Sequence, residues 1–177
     1  AEARCAQLLA DEAVLRRRAH PDPAAVRLIA RGPSSRLWER RRGDDDFLDV
    51  RIGLGESPAR LALLRGGAPM PPRTLTLVPL HTNLRAGALG ICGPAMAGLA
   101  AARWAIIQLA ALHSPADLRI VALAGDSRAE RWRWLRWLPH TVAIAVDPPS
   151  RRAAVQQLRD AADAAASRRR DGGPSSS

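Results

Sequence analysis

At 177 residues, with 47% hydrophobic side chains, the chain can bury one sizeable core. Its formal net charge of +10 comes from 27 basic residues, every one of them Arg. Without Lys, no lysine of this chain can serve a phosphate loop, a Schiff base or a general base; the two cysteines, Cys5 and Cys92, match no metal or redox spacing, which points to a reducing compartment.

In chain order, residues 1–32 read as stalk-like helices. Leu8, Leu9, Ala13 and Leu15 lie near helical spacing within Ala1–His20, with charges on the other face. Glu2 and Arg4 interrupt the first ten residues and no cleavage pattern follows, so no signal peptide is read there. Pro21 and Pro23 end the first helix, and Asp22 caps a second, Pro23–Ala30, with Pro in its first turn. Residues 33–86 read as a small antiparallel β subdomain. After the turn Gly32–Ser35 and the acidic turn Gly43–Asp46, Phe47–Leu54 alternates apolar and polar residues as a strand does. Arg60–Leu64 and Thr74–Leu80 are two further strands around a Gly66–Pro69 loop.

Residues 87–170 read as an α/β domain. Its centre is a short apolar run, Ala88–Cys92, then Gly93-Pro94, then a long apolar-faced helix from Met96 to Leu112. Strand, glycine turn and helix is how a phosphate-binding loop is built, and Gly93-Pro94-Ala95-Met96-Ala97-Gly98 fits G-x-x-x-x-G. The next two positions should be Lys and Ser or Thr; they are Leu99 and Ala100, which can neither contact the β- and γ-phosphates nor hold magnesium. The run to Leu112 carries only Arg103 as a charge, but burying Arg at mid-bilayer costs roughly 2.5–3.5 kcal/mol, so a buried strand and a buried helix are expected instead of a membrane span. Leu118–Ala124 and Val142–Val146 read as parallel strands covered on both faces, with a Trp-rich helix, Glu130–Leu138, between them and a last helix, Arg151–Arg168, after them. The alternation predicts a parallel three-layer P-loop/RecA-like sheet, preceded by the N-terminal helices and the small β subdomain. Nothing strand-like follows Arg170, so this domain is expected to be incomplete at its C-terminus, with 171–177 a disordered tail. The non-Met first residue and that tail lead to the expectation of a fragment.

Gly93–Ala100 has two readings: a degenerate phosphate cradle using backbone N–H groups at a helix N-terminus, less one donor at Pro94, or a plain strand-to-helix turn. Hydrolysis is not expected from it, since phosphoryl transfer rests on charge stabilisation by Lys and metal; ATP and magnesium are expected only as weak ligands, and no cofactor is required. Trp132, Trp134 and Trp137, interleaved with Arg131, Arg133 and Arg136, read either as a stacking platform for nucleic acid or as a packed face in which Trp134, Trp137 and Leu138 lie together. Trp38 with Arg40 and Arg41 reads either as a docking surface or as a plug between the β subdomain and the α/β core. Asp44–Asp46 reads as a solvated turn in preference to a magnesium site. His20, His81, His113 and His140 match no ligand spacing, so no metal is expected; His113 and His140 sit at helix ends, where a donor suits the terminal carbonyls. The spread Arg excess leaves a basic nucleic-acid-binding module as the alternative reading, although composition bias accounts for it as well.

Several stretches together carry a resemblance: His20–Pro23, Leu37–Arg41, Asp46–Leu48 with Val50–Gly55, Gln108–Leu118 and Trp134–His140. In this order and spacing the chain resembles the EccC/EssC proteins, FtsK/SpoIIIE-type ATPase subunits of type VII (ESX) secretion systems, over about residues 1–165. The resemblance implies the cytoplasmic region between a membrane stalk and a row of ATPase domains. It implies a coupling or adaptor role in protein secretion at the bacterial inner membrane. The partners implied are the downstream ATPase domains and other membrane components, in an oligomer; a nucleic-acid partner is not expected.

Overall fold

The computed structural model describes residues 2–62, 64–65 and 67–171. The expected tail at 172–177 lies outside them. By contacts the chain divides into unit 1, Ala1–Asp117, and unit 2, Leu118–Ser177.

Unit 1 opens with helix α1 (Glu2–Ala19), followed by α2 (Pro23–Arg31). The Asp22 side chain accepts from the Ala25 N–H at 2.8 Å, the N-cap bond that its position before Pro23 anticipates. Two ten-residue strands, β1 (Asp49–Pro58) and β4 (Thr74–Asn83), pair antiparallel, with bulges after Arg51 and Gly55. Between them β2 (Leu64–Arg65) and β3 (Ala68–Pro69) form a two-residue hairpin, so the expected strand Arg60–Leu64 is reduced to its end. Leu9 and Ala13 of α1 pack on a small core of Ala59, Leu75 and Val78. The same helix is tied down by Arg16, which donates to the Ser57 hydroxyl at 2.9 Å and the Pro58 carbonyl at 2.8 Å, and by Glu12, which accepts from the Arg60 N–H at 2.9 Å.

Helix α3 (Ala95–Leu112) is as long as expected, but its burial is confined to the C-terminal end, at Gln108, Ala110, Ala111 and Leu112. By length and composition alone it is the one helix among the described residues apolar enough to cross a membrane. It is nevertheless bonded into unit 1. The Trp104 indole N–H donates to the Arg51 carbonyl at 3.0 Å. Gln108 accepts from the Arg51 N–H at 2.8 Å and donates to its carbonyl at 3.0 Å.

Those bonds account for a correction. Ala88–Cys92 forms no strand; it is an exposed, unpaired stretch. The outer edge of β1, which an added strand would need, is already occupied by Trp104 and Gln108. A cavity of about 270 Å³, lined by Val50–Ile52, Leu89–Cys92 and Trp104 among others, separates the stretch from β1. Gly87 at φ +145° and Gly93 at φ +143° bend the chain away at both ends, in conformations that L side chains rarely adopt.

In unit 2, β5 (Ile120–Leu123) pairs parallel with β6 (Thr141–Ala145), and α4 (Pro148–Asp171) follows. Asp147 caps α4, accepting from the Ser150 N–H at 2.8 Å, and that bond holds its carboxyl below the usual range. The class is therefore mixed α/β with one antiparallel and one parallel pairing of any length; a three-layer sheet is not seen among the described residues. The connection between β5 and β6 is a 12-residue 3₁₀ segment, Asp126–Trp137, where an α-helix was expected. At three residues per turn, Trp132, Leu135 and Leu138 share a face. Leu135 is fully buried, and Trp132 and Leu138 are half-buried, whereas Trp137 is 76% exposed with the Arg136 guanidinium over its ring. The expected common face of Trp134, Trp137 and Leu138 belongs to a 3.6-residue period that this segment does not have. Trp137→Ala is accordingly expected to leave the unfolding free energy from urea titration within about 0.5 kcal/mol of the parent, as exposed positions do.

Candidate functional site

Of the stretches that carry the family resemblance, Leu37–Arg41 and Asp46–Leu48 meet the end of α3 and His113 within unit 1. A helix ends with carbonyls that have no partner in the helix. Here they are taken up by the Leu37–Arg41 stretch. The Trp38 N–H donates to the Ala111 carbonyl at 2.9 Å and the Arg40 N–H to the Leu112 carbonyl at 2.9 Å. The Trp38 indole N–H donates to the Ala110 carbonyl at 3.2 Å. His113, fully buried, closes the other side: its Nδ1 bonds the Leu109 carbonyl at 2.9 Å and its Nε2 accepts from the Leu48 N–H at 2.9 Å. Those two bonds require the neutral tautomer with the proton on Nδ1. The Phe47 ring meets His113 edge-on at 5.0 Å. Trp38 and Leu48 hold left-handed backbone conformations, φ 59° and 66°, unusual for bulky residues and sustained here by the same bonds.

Arg40 runs through the middle of this clamp. It is 2% exposed. Its guanidinium donates to the Asp49 carbonyl at 2.7 Å and the Ala19 carbonyl at 2.9 Å, and its Nε lies 3.0 Å from an Asp46 carboxylate oxygen. Arg41 and Arg42 point outward and pair with Asp117, at 3.8 and 3.0 Å. Of the interface candidates, Arg40 is thus enclosed, Trp38 is half-buried over the helix end, and Arg41 is exposed. Asp44 and Asp46 lie on the acidic turn as local hydrogen-bond and ion-pair partners, Asp44 accepting from the Arg41 N–H at 2.6 Å.

At the opposite end of α3 lies the candidate phosphate turn. Gly93 makes the bend, Pro94 is the N-cap residue without a side-chain cap, and α3 starts at Ala95. Gly93, Pro94, Ala95, Met96, Ala97 and Ala100 are exposed, while Gly98 and Leu99 are half-buried. A methyl group at Gly98 would meet only Ile91 Cγ2, at 3.9 Å. The first-turn N–H groups therefore face outward from a glycine bend, without the strand that precedes a phosphate loop and with Leu99 and Ala100 in place of Lys and a hydroxyl.

A third group was not foreseen. His20, Asp49 and His81 come together between the end of α1 and the β1–β4 pair. The rings of His20 and His81 stack at 3.9 Å, 16° from parallel, and His81 Nδ1 lies 3.2 Å from an Asp49 carboxylate oxygen. His20 is 9% exposed, and burial pushes its pKa down to about 4, helped by His81, Arg40 and Arg51 and opposed by Asp49. Spacing in the sequence could not show this cluster. The signal available was register: Arg51 pairs with His81 and Asp49 with Asn83, which puts Asp49 diagonal to His81 on one face of the sheet.

In unit 2, Trp132 and Trp134 are half-buried and Trp137 is exposed.

No protein-family model matches the chain. Curated relatives, however, are components of one bacterial export machinery by name. The chain is 34% identical over 139 residues, 68% of its length, to the ESX-4 secretion system protein EccC4 of Mycobacterium tuberculosis. It is 36% identical over 145 residues to the ESX secretion system protein EccC of Thermomonospora curvata, and 30% identical over 124 residues to that of Geobacillus thermodenitrificans, 68% and 60% of this chain. The class defined by these matches is the ESX, or type VII, secretion protein. The chain belongs to the EccC family. It spans only 11%, 11% and 8% of the length of those three relatives.

Proposed function

We propose that the chain is a coupling module of a type VII secretion motor, at the cytoplasmic face of a bacterial membrane, with a nucleotide site that has lost its chemistry. The observation that carries this reading is the end-to-end contrast along α3. Its C-terminal end is locked by Trp38, Arg40 and His113, whereas its N-terminal end presents a glycine bend followed by Leu99 and Ala100. A loop that binds and cleaves ATP needs Lys and a magnesium-holding hydroxyl; a module that transmits position needs a rigid body. β5 and β6 pair parallel across a connecting segment, as neighbouring strands of an α/β sheet do, and that pairing supports this ancestry. The partners of such a module are ATPase domains and membrane components of the parent assembly, and ATP with magnesium is at most a weak ligand.

The test is ATP turnover by this chain with and without Gly93→Ala and Gly98→Ala. The expected result is no turnover that responds to either substitution. Turnover abolished by them would overturn the proposal, because it would show a working loop at Gly93–Ala100.

A further inference from the structure

We propose that His20, Asp49 and His81 form a binding site for a borderline divalent transition metal, with zinc the best fit, open on one side to a cavity of about 940 Å³ that both histidines line. One ligand atom from each of the three residues lies within 4.8 Å of the other two, the one such grouping of His, Cys and carboxylate side chains among the described residues. The 3.2 Å separation of His81 Nδ1 and the Asp49 oxygen is already close to the spacing of two ligands on tetrahedral zinc, roughly 3.3 Å for bonds of 2.0–2.1 Å.

A second, independent observation points to a ligand. His20 Nδ1 is buried and has no hydrogen-bond partner. A buried polar atom left alone is destabilising, because it gives up its bond to water and gains nothing in return. A bound cation is one partner that the lone pair of an imidazole nitrogen can take.

The surroundings hold the three residues in place as outer groups do around metal ligands. Asn83 donates to the Asp49 Oδ1 at 2.8 Å, leaving Oδ2 for the site. Arg51 donates to the His20 carbonyl at 2.9 Å and Arg40 to the Asp49 carbonyl at 2.7 Å. These two guanidiniums also set the selectivity. With one carboxylate against two cationic neighbours, the site offers little to magnesium or calcium, which are held by several oxygen ligands. Imidazole nitrogen suits zinc, nickel, copper and cobalt, whose bonds to nitrogen offset the charge. Three protein ligands and an open fourth position facing the cavity is the arrangement of zinc sites that keep a water.

The experiment is a titration of chelator-stripped protein with Co²⁺ followed by Zn²⁺, read by the visible absorption of tetrahedral cobalt and by the ring NMR signals of the four histidines. Expected are one equivalent of cobalt with a tetrahedral band, its displacement by zinc, and zinc-induced shifts of two histidine rings, His20 and His81. His81→Ala is expected to weaken cobalt binding at least about tenfold, and His140→Ala to leave it unchanged. The NMR arm uses the unmodified chain, so a variant that fails to fold does not blunt the test. No saturable binding at one equivalent, shifts at His113 or His140 instead, or a folded His81→Ala that binds as tightly as its parent would each overturn the site.

Discussion

Replacing Arg40 with Met is expected to cost the fold about 3–5 kcal/mol, the range for breaking a buried charged contact by removing one partner. Met keeps much of the stem's apolar packing and removes the guanidinium. Three groups then lose their donor: the Asp49 carbonyl, the Ala19 carbonyl and the Asp46 carboxylate. Asp46 is 44% exposed at its side chain and can turn to water. The Asp49 carbonyl cannot, since its bond is buried, and an orphaned buried acceptor costs about 1–3 kcal/mol. Arg40→Lys is expected to fall between the two, because an ammonium cannot reproduce the planar fork that reaches several acceptors at once. Urea unfolding followed by far-UV circular dichroism measures this; a loss below about 1 kcal/mol for the Met variant would show that the clamp does not depend on its charge.

That expectation explains why the Leu37–Arg41 stretch was legible in the sequence as specific but not as to role. Trp next to consecutive Arg residues is the composition of an interface hot spot as well as of a buried joint. Only the partner groups distinguish them, and these are backbone carbonyls at Ala19, Asp49, Ala110, Ala111 and Leu112, which carry no sequence signal of their own.

Elements whose information is local were readable. α2 announced itself by Asp22 and Pro23, and α1 and α3 by their length and boundaries. The alternation at Phe47–Leu54 located β1, starting before it and stopping short of its end, and the expected strand Thr74–Leu80 located β4, short of its end. The failures share one cause, which is tertiary competition. Ala88–Cys92 has the composition of a buried strand, but the edge it would join belongs to side chains of α3. The 126–137 segment has enough apolar residues for a helix, but periods of 3.0 and 3.6 are hard to separate over three turns. The His20–Asp49–His81 group depended on strand register and on where α1 ends, neither of which residue spacing encodes.

Gln108→Leu is expected to destabilise the chain by about 2–3 kcal/mol, although Leu fills nearly the same volume and suits a helix better. Gln108 is 2% exposed and acts as a one-residue strand: its amide exchanges two hydrogen bonds with the backbone of Arg51 at the open edge of β1. Leu offers neither bond. The Arg51 carbonyl would keep the Trp104 indole as a donor, so the loss concentrates on the Arg51 N–H, left buried without an acceptor. Gln108→Glu separates the two halves of the pair. A carboxylate can still accept from the N–H but sets its second oxygen against the carbonyl, so Glu is expected to be destabilising at neutral pH and to recover as acid protonates it and restores a donor. Amide hydrogen exchange at Arg51 reads the local effect directly. If the Leu variant left that amide protected and the urea midpoint unmoved, the edge of β1 would have to be closed by something other than Gln108, and the unpaired state of Ala88–Cys92 would need a different cause.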